Sequence, residues 1–195
     1  MAVPDPSELL VVADATAWRA WLDAHATSSD GVWLVLAKKG TVDPTSLTYA
    51  EALDEALCSG WIDGQKRSRD EATFLQRFTP RRRRSMWSAR NVEHIARLEA
   101  EGRMRETGRA QVAEAKADGR WDRAYAGSAD MEVPDDLAAA LAEVPSALAR
   151  FSALTRAERF SVLHPIMTAA TPETRARRIA RAVSRLDERQ EEGTA

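Results

Sequence analysis

The sequence has little of what usually identifies a function directly. Its 195 residues include one cysteine, Cys58, which excludes an internal disulfide framework and a cysteine-based zinc site. The three histidines, His25, His94 and His164, lie on different predicted elements and have no second histidine at ligand spacing. Glycine-rich nucleotide-binding loops are absent as well. We therefore predict no metal site and no cofactor.

Long apolar runs are also missing. No run approaches the length that a helix needs to cross a bilayer, so membrane insertion is not expected. The first residues are acids and prolines where a secretory signal has a basic segment. A lone cysteine is typical of a reducing compartment. We therefore expect a cytoplasmic protein, and no pattern in the sequence indicates its oligomeric state.

The sequence also lacks a large excess of either charge sign, because 28 Lys/Arg against 30 Asp/Glu give a formal net charge of only −2. The distribution along the chain is nevertheless uneven. Residues 1–59 carry 3 Lys/Arg against 9 Asp/Glu, whereas residues 60–90 carry 9 against 3. A field that attracts anions is therefore expected around residues 60–90 and not over the whole surface.

The spacing of the apolar residues predicts an α+β fold for the first 126 residues. Thr48 with Glu51 forms a capping-box pattern at the start of one helix. The predicted main domain, 1–126, is a small antiparallel sheet with a β-hairpin, covered by helices. Its predicted elements are helices over 14–26, 48–58, from Ser88 onward and over 107–118, a buried strand over 32–38, and hairpin strands over 61–67 and 73–79.

The remainder of the chain is predicted to be helical. Residues 127–136 are polar, contain Gly and Pro, and form the best candidate for a linker. A helical C-terminal segment, 137–195, follows. Its helices are expected near 135–143, 146–153, 155–168 and 172–188. Pro165 is expected to kink or end the third of these, because proline removes a helical hydrogen bond.

Several short motifs resemble those of a known family. Within roughly residues 48–104 they are EAL-x-EALC-x-GWIDG, RFTPR, SxWSxxN and LxxxGRM, and VPDDLAAAL and TPETRARRIARAV follow near the C-terminus. As a set they resemble the YdeI/OmpD-associated family, also called bacteriocin-protection proteins. The resemblance implies a part in stress tolerance and antimicrobial resistance. It implies no particular reaction.

The hairpin is the best candidate for a binding site. Side chains alternate along a strand, so Trp61, Asp63, Gln65 and Arg67 are expected on one face, beside Arg77 of the returning strand. An indole, a carboxylate, an amide and guanidinium groups would then line one concave surface, suited to a small aromatic or anionic molecule. The next loop and helix would bring two further side chains to its rim. The predicted ligand-binding set is Trp61, Asp63, Gln65, Arg67, Arg77, Trp87 and Asn91.

Three alternatives stay open. The hairpin residues could form only a structural ion pair between Asp63 and Arg77. The Arg81–Arg84 run could serve a nucleic-acid or protein-interaction module, although charge runs are usually solvated loops and the acidic first third argues against strong nucleic-acid binding. The chain could also be an enzyme acting through Asp63, although no partner carboxylate is evident.

No catalytic residue is therefore predicted. Cys58 is expected to be a buried small hydrophobe near a helix end and not a nucleophile. We expect a non-catalytic protein that binds a small aromatic or anionic molecule and so gives tolerance to an antimicrobial or toxin.

Overall fold

The computed structural model describes residues 9–127 and 131–188, and within these ranges the chain has eight helices and four strands. This is the α+β class that the sequence predicts. The chain divides into two compact units, one of Met1–Trp87 with Asn91–Arg123 and one of Ser88–Arg90 with Ala124–Ala195. The predicted linker lies partly outside the described residues, and the predicted domain boundaries stay a prediction. No helix in the described ranges is both long and apolar enough to cross a membrane.

The first unit is built on a four-stranded sheet. Its elements are β1 (Leu9–Leu10), α1 (Ala15–His25), β2 (Val32–Ala37), α2 (Tyr49–Cys58), β3 (Trp61–Ser68), β4 (Thr73–Pro80), α3 (Ala89–Ala100) and α4 (Glu106–Ala117). The strand order is β1-β2-β4-β3, and β2, β4 and β3 are antiparallel neighbours. β1, however, pairs with β2 in parallel. The predicted antiparallel sheet is confirmed for β2, β4 and β3, and β1 adds a parallel strand that the sequence does not predict, because a two-residue strand is too short to leave an alternation pattern.

The first two helices begin at residues whose side chains cap the helix N-terminus by hydrogen bonds. The Asp14 carboxylate accepts from the backbone N–H of Ala17 at 2.9 Å and begins α1. At the start of α2 the Thr48 hydroxyl accepts from the Glu51 N–H, and the Glu51 carboxylate accepts from the Thr48 N–H at 3.0 Å. These bonds satisfy amide groups that a helix leaves unpaired. The predicted capping box is thus confirmed.

One face of the sheet packs against α1 and α2. Trp18 of α1 is fully buried, and its ring lies 5.7 Å from that of Phe78 and 6.4 Å from that of Trp61. The Trp18 indole N–H donates to the carbonyl of Ala52 in α2 at 3.1 Å, so its polar atom is satisfied inside the core. Burial of each such large side chain stabilises the fold by about 1.5–3 kcal/mol. The core of this unit therefore sits between the sheet and these two helices.

The opposite face carries a smaller apolar cluster. Trp33 and Val35 of β2 pack there with Leu75 of β4, and Leu9 of β1 packs against them. The strand register supports this division, because Trp33 is paired with Arg77 and Val35 with Leu75. Successive residues of a strand point to opposite faces, so Arg77 also belongs to this second face.

The elements of the second unit that follow residue 131 are all helices in the part of the chain that the structure describes. Its helices are α5 (Asp135–Ala142), α6 (Pro145–Ala153), α7 (Arg156–Met167) and α8 (Pro172–Glu188). Pro165 lies inside α7 but does not end it, because the helix continues to Met167. The last residues of the predicted C-terminal segment, 189–195, lie outside the described residues. The buried core of this unit consists of Leu137, Leu141, Ala147, Phe151, Leu163, Ile166, Ile179 and Leu186.

Candidate functional site

The hairpin of β3 and β4 contains a β-bulge. Asp63 pairs with Phe78, but the next paired residue of β3, Lys66, is opposite Gln76. Three steps along β3 therefore match two steps along β4, which leaves one extra residue in β3. The side-chain amide of Gln76 donates to the carbonyls of Gly64 and Gln65 at 2.9 and 3.3 Å. This buried amide gives the bulged backbone the partners that the strand ladder does not supply.

The bulge reverses which face each side chain of β3 occupies. Before it, Trp61 and Asp63 face the helices, because the Trp61 ring contacts Trp18 and the Asp63 carboxylate accepts from the Tyr49 hydroxyl of α2 at 2.8 Å. After it, Arg67 lies on the opposite face, with its guanidinium 4.6 Å from the centre of the Trp33 ring. The extra residue is the cause, since it shifts the two-residue alternation by one.

The predicted placement of Trp61, Asp63, Gln65 and Arg67 on one face is therefore wrong. The alternative of a structural ion pair between Asp63 and Arg77 does not apply either, because Asp63 pairs with Phe78. The error concerns the face on which each side chain lies, and the binding role of these residues stays a prediction. Gln65, Arg67 and Arg77 do come together on the second face, where all three line one cavity.

This sheet cavity has a volume of about 890 Å³. It lies within the size range of ligand pockets, which is roughly 300–1,000 Å³. Two indoles and two guanidinium groups are its largest side chains, and no acidic side chain in the described part of the chain lines it. The lining residues are Leu9, Leu10, Trp21, Ser29, Gly31, Val32, Trp33, Gly64, Gln65, Arg67 and Arg77.

Gly31 shapes the mouth of the sheet cavity. Its φ is +127°, a backbone conformation that residues other than glycine rarely adopt. A Cβ at this position would also lie 2.7 Å from the Phe78 carbonyl oxygen and 3.1 Å from a terminal nitrogen of Arg77. Glycine thus lets the start of β2 approach β4 closely and leaves room beside the Arg77 guanidinium. The Ser29 hydroxyl accepts from the Gly31 N–H at 3.2 Å and fixes this turn.

Arg77 differs from the other arginines near the sheet. Within residues 9–127 and 131–188 its guanidinium has no ion pair and no hydrogen bond. Arg77 is nevertheless half-buried at the cavity wall. A planar cation in this position presents a fork of donors that matches a carboxylate or phosphate. Together with the Arg67–Trp33 stack it gives the cavity both a cationic and an aromatic wall.

The other two predicted residues, Trp87 and Asn91, do not line the sheet cavity. Trp87 is buried beneath the Arg81 guanidinium, which lies 3.6 Å from the centre of its ring, and its other neighbour is Trp121 at 5.0 Å. Asn91 is also buried. Arg81 is only 7 % exposed, so the expectation that the whole Arg81–Arg84 run is a solvated loop is wrong for its first member. Stacking on a tryptophan stabilises a guanidinium in that position.

Sequence reasoning missed a buried carboxylate in α2. Glu55 is 2 % exposed, and its oxygens accept from Arg19, Arg103 and Arg105 at 2.7–3.0 Å. Burial raises the pKa of Glu55, but the hydrogen bonds from the three guanidiniums lower it more, to about 2. The neighbouring Asp54 lies 2.6 Å from Arg97. The motifs EAL-x-EALC and LxxxGRM thus meet in a structural ion network, and no sequence pattern connects their charges beforehand.

Cys58 is fully buried, as the sequence predicts. Burial raises the pKa of its thiol to about 11, with the Glu55 charge adding to the effect. The thiolate, which is the nucleophilic form, is therefore a minor species near neutral pH.

Two family models match this chain. The one described as "Domain of unknown function (DUF8412)" matches residues 10–111, which is more than half of the chain. The one described as "Bacteriocin-protection, YdeI or OmpD-Associated" matches residues 130–189, which span α5 to α8. The second match confirms the resemblance to the bacteriocin-protection family at the C-terminal helices, while the motifs within residues 48–104 fall inside the first match. No curated protein and no solved structure matches the chain.

Proposed function

We propose that this chain, which belongs to the family described as a domain of unknown function (DUF8412), is a small-molecule-binding protein. It also carries a bacteriocin-protection segment of the YdeI or OmpD-associated kind. Its ligand is a small aromatic anion held in the sheet cavity. Binding of that molecule gives tolerance to an antimicrobial or toxin. The reducing cytoplasm is the proposed location, on the evidence of a single cysteine.

One observation supports this proposal above all others. The Arg77 guanidinium lies at the wall of a cavity of about 890 Å³ without an ion pair in the described residues, while Arg67 stacks on Trp33 beside it. A half-buried cation without a protein partner is costly unless solvent or a ligand supplies the counter-charge. A bound carboxylate would supply it with two parallel hydrogen bonds.

The rest of the lining favours an aromatic body for the ligand. Trp21 and Trp33 both contribute to the wall. The Trp21 ring is stacked between Trp18 and His25, at 5.2 and 4.7 Å, so it offers its edge, and a ring edge attracts the face of another flat ring. The Gln65 amide adds a polar group that both donates and accepts hydrogen bonds. An aromatic carboxylate combines the two features, because its ring would lie against the indoles and its charge against the guanidiniums.

The proposal is tested with 2-naphthoate as the probe and 2-naphthalenemethanol as its neutral counterpart. We expect calorimetric titration of the full chain to give binding of the carboxylate and at least tenfold weaker binding of the alcohol, since a charge-assisted hydrogen bond is worth about 1.5–3 kcal/mol. The carboxylate should also raise the melting temperature, because a ligand that binds only the native state stabilises it.

Arg77→Gln is the decisive variant, and Arg83→Gln is its matched control. Arg83 is 90 % exposed and does not line the cavity, so its loss should leave naphthoate affinity unchanged. Loss of Arg77 should weaken the affinity about tenfold or more. Equal affinity of the two variants, or equal binding of acid and alcohol, would show that the cavity does not recognise aromatic anions.

A further inference from the structure

A second cavity lies wholly within the helical unit, between α7 and α8. Its volume is about 500 Å³, which also falls within the range of small-molecule sites. It is distinct from the sheet cavity, because none of its lining residues belongs to the sheet.

The floor of the α7–α8 cavity is aliphatic. Leu154, Val162, Ile166, Ala182 and Leu186 provide it, and no aromatic side chain is among the lining residues in the described part of the chain. A flat ring would therefore find no stacking partner here, in contrast to the sheet cavity with its two indoles. A flexible hydrocarbon chain, by comparison, can make close contacts with branched aliphatic side chains along its whole length.

One rim of the cavity is cationic. Arg178, Arg181 and Arg185 are three, four and seven residues apart on α8, so they lie on one side of the helix over a length of about 10 Å. Arg178 donates to the carbonyl of Pro165 across the cavity. Arg181 and Arg185 have no ion pair and no hydrogen bond with any residue of 9–127 or 131–188. Two exposed guanidiniums thus stand beside the aliphatic floor.

The opposite rim carries a single acid, and its charge is already engaged. The Glu158 carboxylate accepts from the backbone N–H and the hydroxyl of Thr155, at 2.9 and 2.7 Å, in the capping box that begins α7. The lining side chains therefore carry three positive charges against one negative charge. An anion is favoured at the arginine rim by this excess of positive charge.

From this juxtaposition we propose that the α7–α8 cavity binds one small amphipathic anion with an unbranched aliphatic body, such as a medium-chain carboxylate. Its head group lies between Arg181 and Arg185. Its chain lies along the floor formed by Val162, Ile166 and Leu154. The site is independent of the aromatic-anion site proposed for the sheet.

The experiment titrates the full chain with hexanoate, octanoate and decanoate, each below its micelle concentration, by calorimetry. Affinity should rise about fourfold for each methylene added, because a buried methylene contributes about 0.8 kcal/mol and 1.4 kcal/mol is a factor of ten. The same titration followed by tryptophan fluorescence should show little change, since all six tryptophans lie between Trp18 and Trp121, outside the helical unit. No binding at any chain length, or affinity independent of chain length, would overturn the proposal.

Variants locate the site. The double variant Arg181→Gln with Arg185→Gln should weaken decanoate binding roughly tenfold, because the head group loses two charge-assisted hydrogen bonds. Arg177→Gln with Arg156→Gln is the matched control, since these exposed arginines lie on the same two helices but do not line the cavity. Equal affinity of the two double variants would contradict the assignment.

A second variant tests the floor separately from the charges. Ala182→Phe puts a ring into the cavity and should abolish decanoate binding while the Arg77-dependent binding of 2-naphthoate persists. Anionic phosphatidylglycerol vesicles form the last arm of the experiment. Retention on vesicles without binding of monomeric decanoate would mean that the arginine rim meets a membrane surface, and the proposed small-molecule site would then be wrong.

Discussion

Glu55 is a carboxylate in an environment that is unusual for its type, because its side chain is only 2 % exposed. A buried carboxylate is costly unless it is paired and hydrogen-bonded, and Glu55 accepts from three guanidiniums that come from α1 and from the segment between α3 and α4. These bonds join three parts of the chain that are far apart in sequence. The side chain therefore holds the first unit together.

Replacement of Glu55 by Gln should destabilise the protein by about 3 kcal/mol at pH 7. This is the lower end of the range for breaking a buried ion pair, because Arg19 is half exposed. Urea unfolding followed by circular dichroism measures the loss. Glu99→Gln is the control, since Glu99 is exposed on α3 and its replacement should change the free energy of unfolding by less than about 0.5 kcal/mol.

The same carboxylate predicts a pH dependence. The pKa of Glu55 is lowered from its ordinary value of 4.5 to about 2 in the folded chain, so the unfolded chain binds more protons between these two pH values. Its contribution to stability is complete above about pH 4.5 and is lost as the pH falls toward 2. The difference in unfolding free energy between wild type and Glu55→Gln should therefore shrink from pH 5 to pH 3. A difference that stays constant over this range would contradict the assignment.

Gly108 governs how closely two helices approach. A Cβ at this position of α4 would lie 2.2 Å from the Cys58 carbonyl oxygen at the end of α2. Glycine inside a helix normally costs about 1 kcal/mol relative to alanine, so Gly108→Ala would stabilise a free helix. Here the clash with backbone outweighs that gain, and we expect a loss of about 2–3 kcal/mol by thermal or urea unfolding. Ala113→Gly, at an exposed position of the same helix, should cost only about 1 kcal/mol.

At the scale of elements, the bulge in β3 decides which side chains can share a ligand. Lys66 and Arg67 are adjacent in sequence and both basic, yet they lie on opposite faces of the sheet. The Lys66 ammonium is 4.3 Å from the centre of the Phe74 ring on the helix-covered face, and the Arg67 guanidinium is stacked on Trp33 at the cavity. Only the second of these neighbours can contact a molecule in the sheet cavity.

A pair of variants across the bulge tests this division. Arg67→Gln should weaken 2-naphthoate binding about tenfold, because it removes a cation from the cavity wall. Lys66→Gln removes the same charge one residue away and should leave the affinity within a factor of two. Calorimetry on both variants makes the comparison. Equal losses would mean that overall charge attracts the ligand, and a loss only for Lys66→Gln would place the ligand on the other face.

The long elements were predictable from the sequence, whereas the bulge was not. α1 and α2 carry apolar stripes and side-chain caps within a single stretch of chain, so local rules suffice for them. The sequence around Gly64 is compatible with a regular strand. What fixes the bulge is the Gln76 amide, which binds two carbonyls from twelve and eleven residues away. For the same reason the Glu55 network was missed, since its partners lie up to 50 residues away in sequence.

At the scale of the whole molecule, the distribution of charge separates a ligand site from a nucleic-acid track. Residues 60–90 carry an excess of six positive charges, which balances the excess of six negative charges over residues 1–59. Several of the basic groups in this stretch already have partners in the structure. Arg81 is stacked on Trp87, Arg67 on Trp33, and Arg83 lies 3.4 Å from Glu114. Stacking holds Arg81 and Arg67 against indole rings, and Arg83 keeps most of its side chain exposed, so the positive surface open to a polyanion is small and local.

This leads to a prediction about DNA. Arg82, Arg83 and Arg84 are the exposed members of the arginine run, so about three phosphates can be neutralised there at once. The slope of log K against log salt for duplex DNA should be no steeper than about −3, because each neutralised phosphate contributes about −0.9. At physiological salt we expect a dissociation constant weaker than about 1 μM, measured by fluorescence anisotropy with a labelled duplex and a labelled single strand.

The triple replacement of Arg82, Arg83 and Arg84 by Gln should remove most of this weak binding while naphthoate affinity is unchanged. Sub-micromolar binding with a slope steeper than about −5 would require a continuous basic surface, and the arginine run would then have to be regarded as part of a nucleic-acid interface.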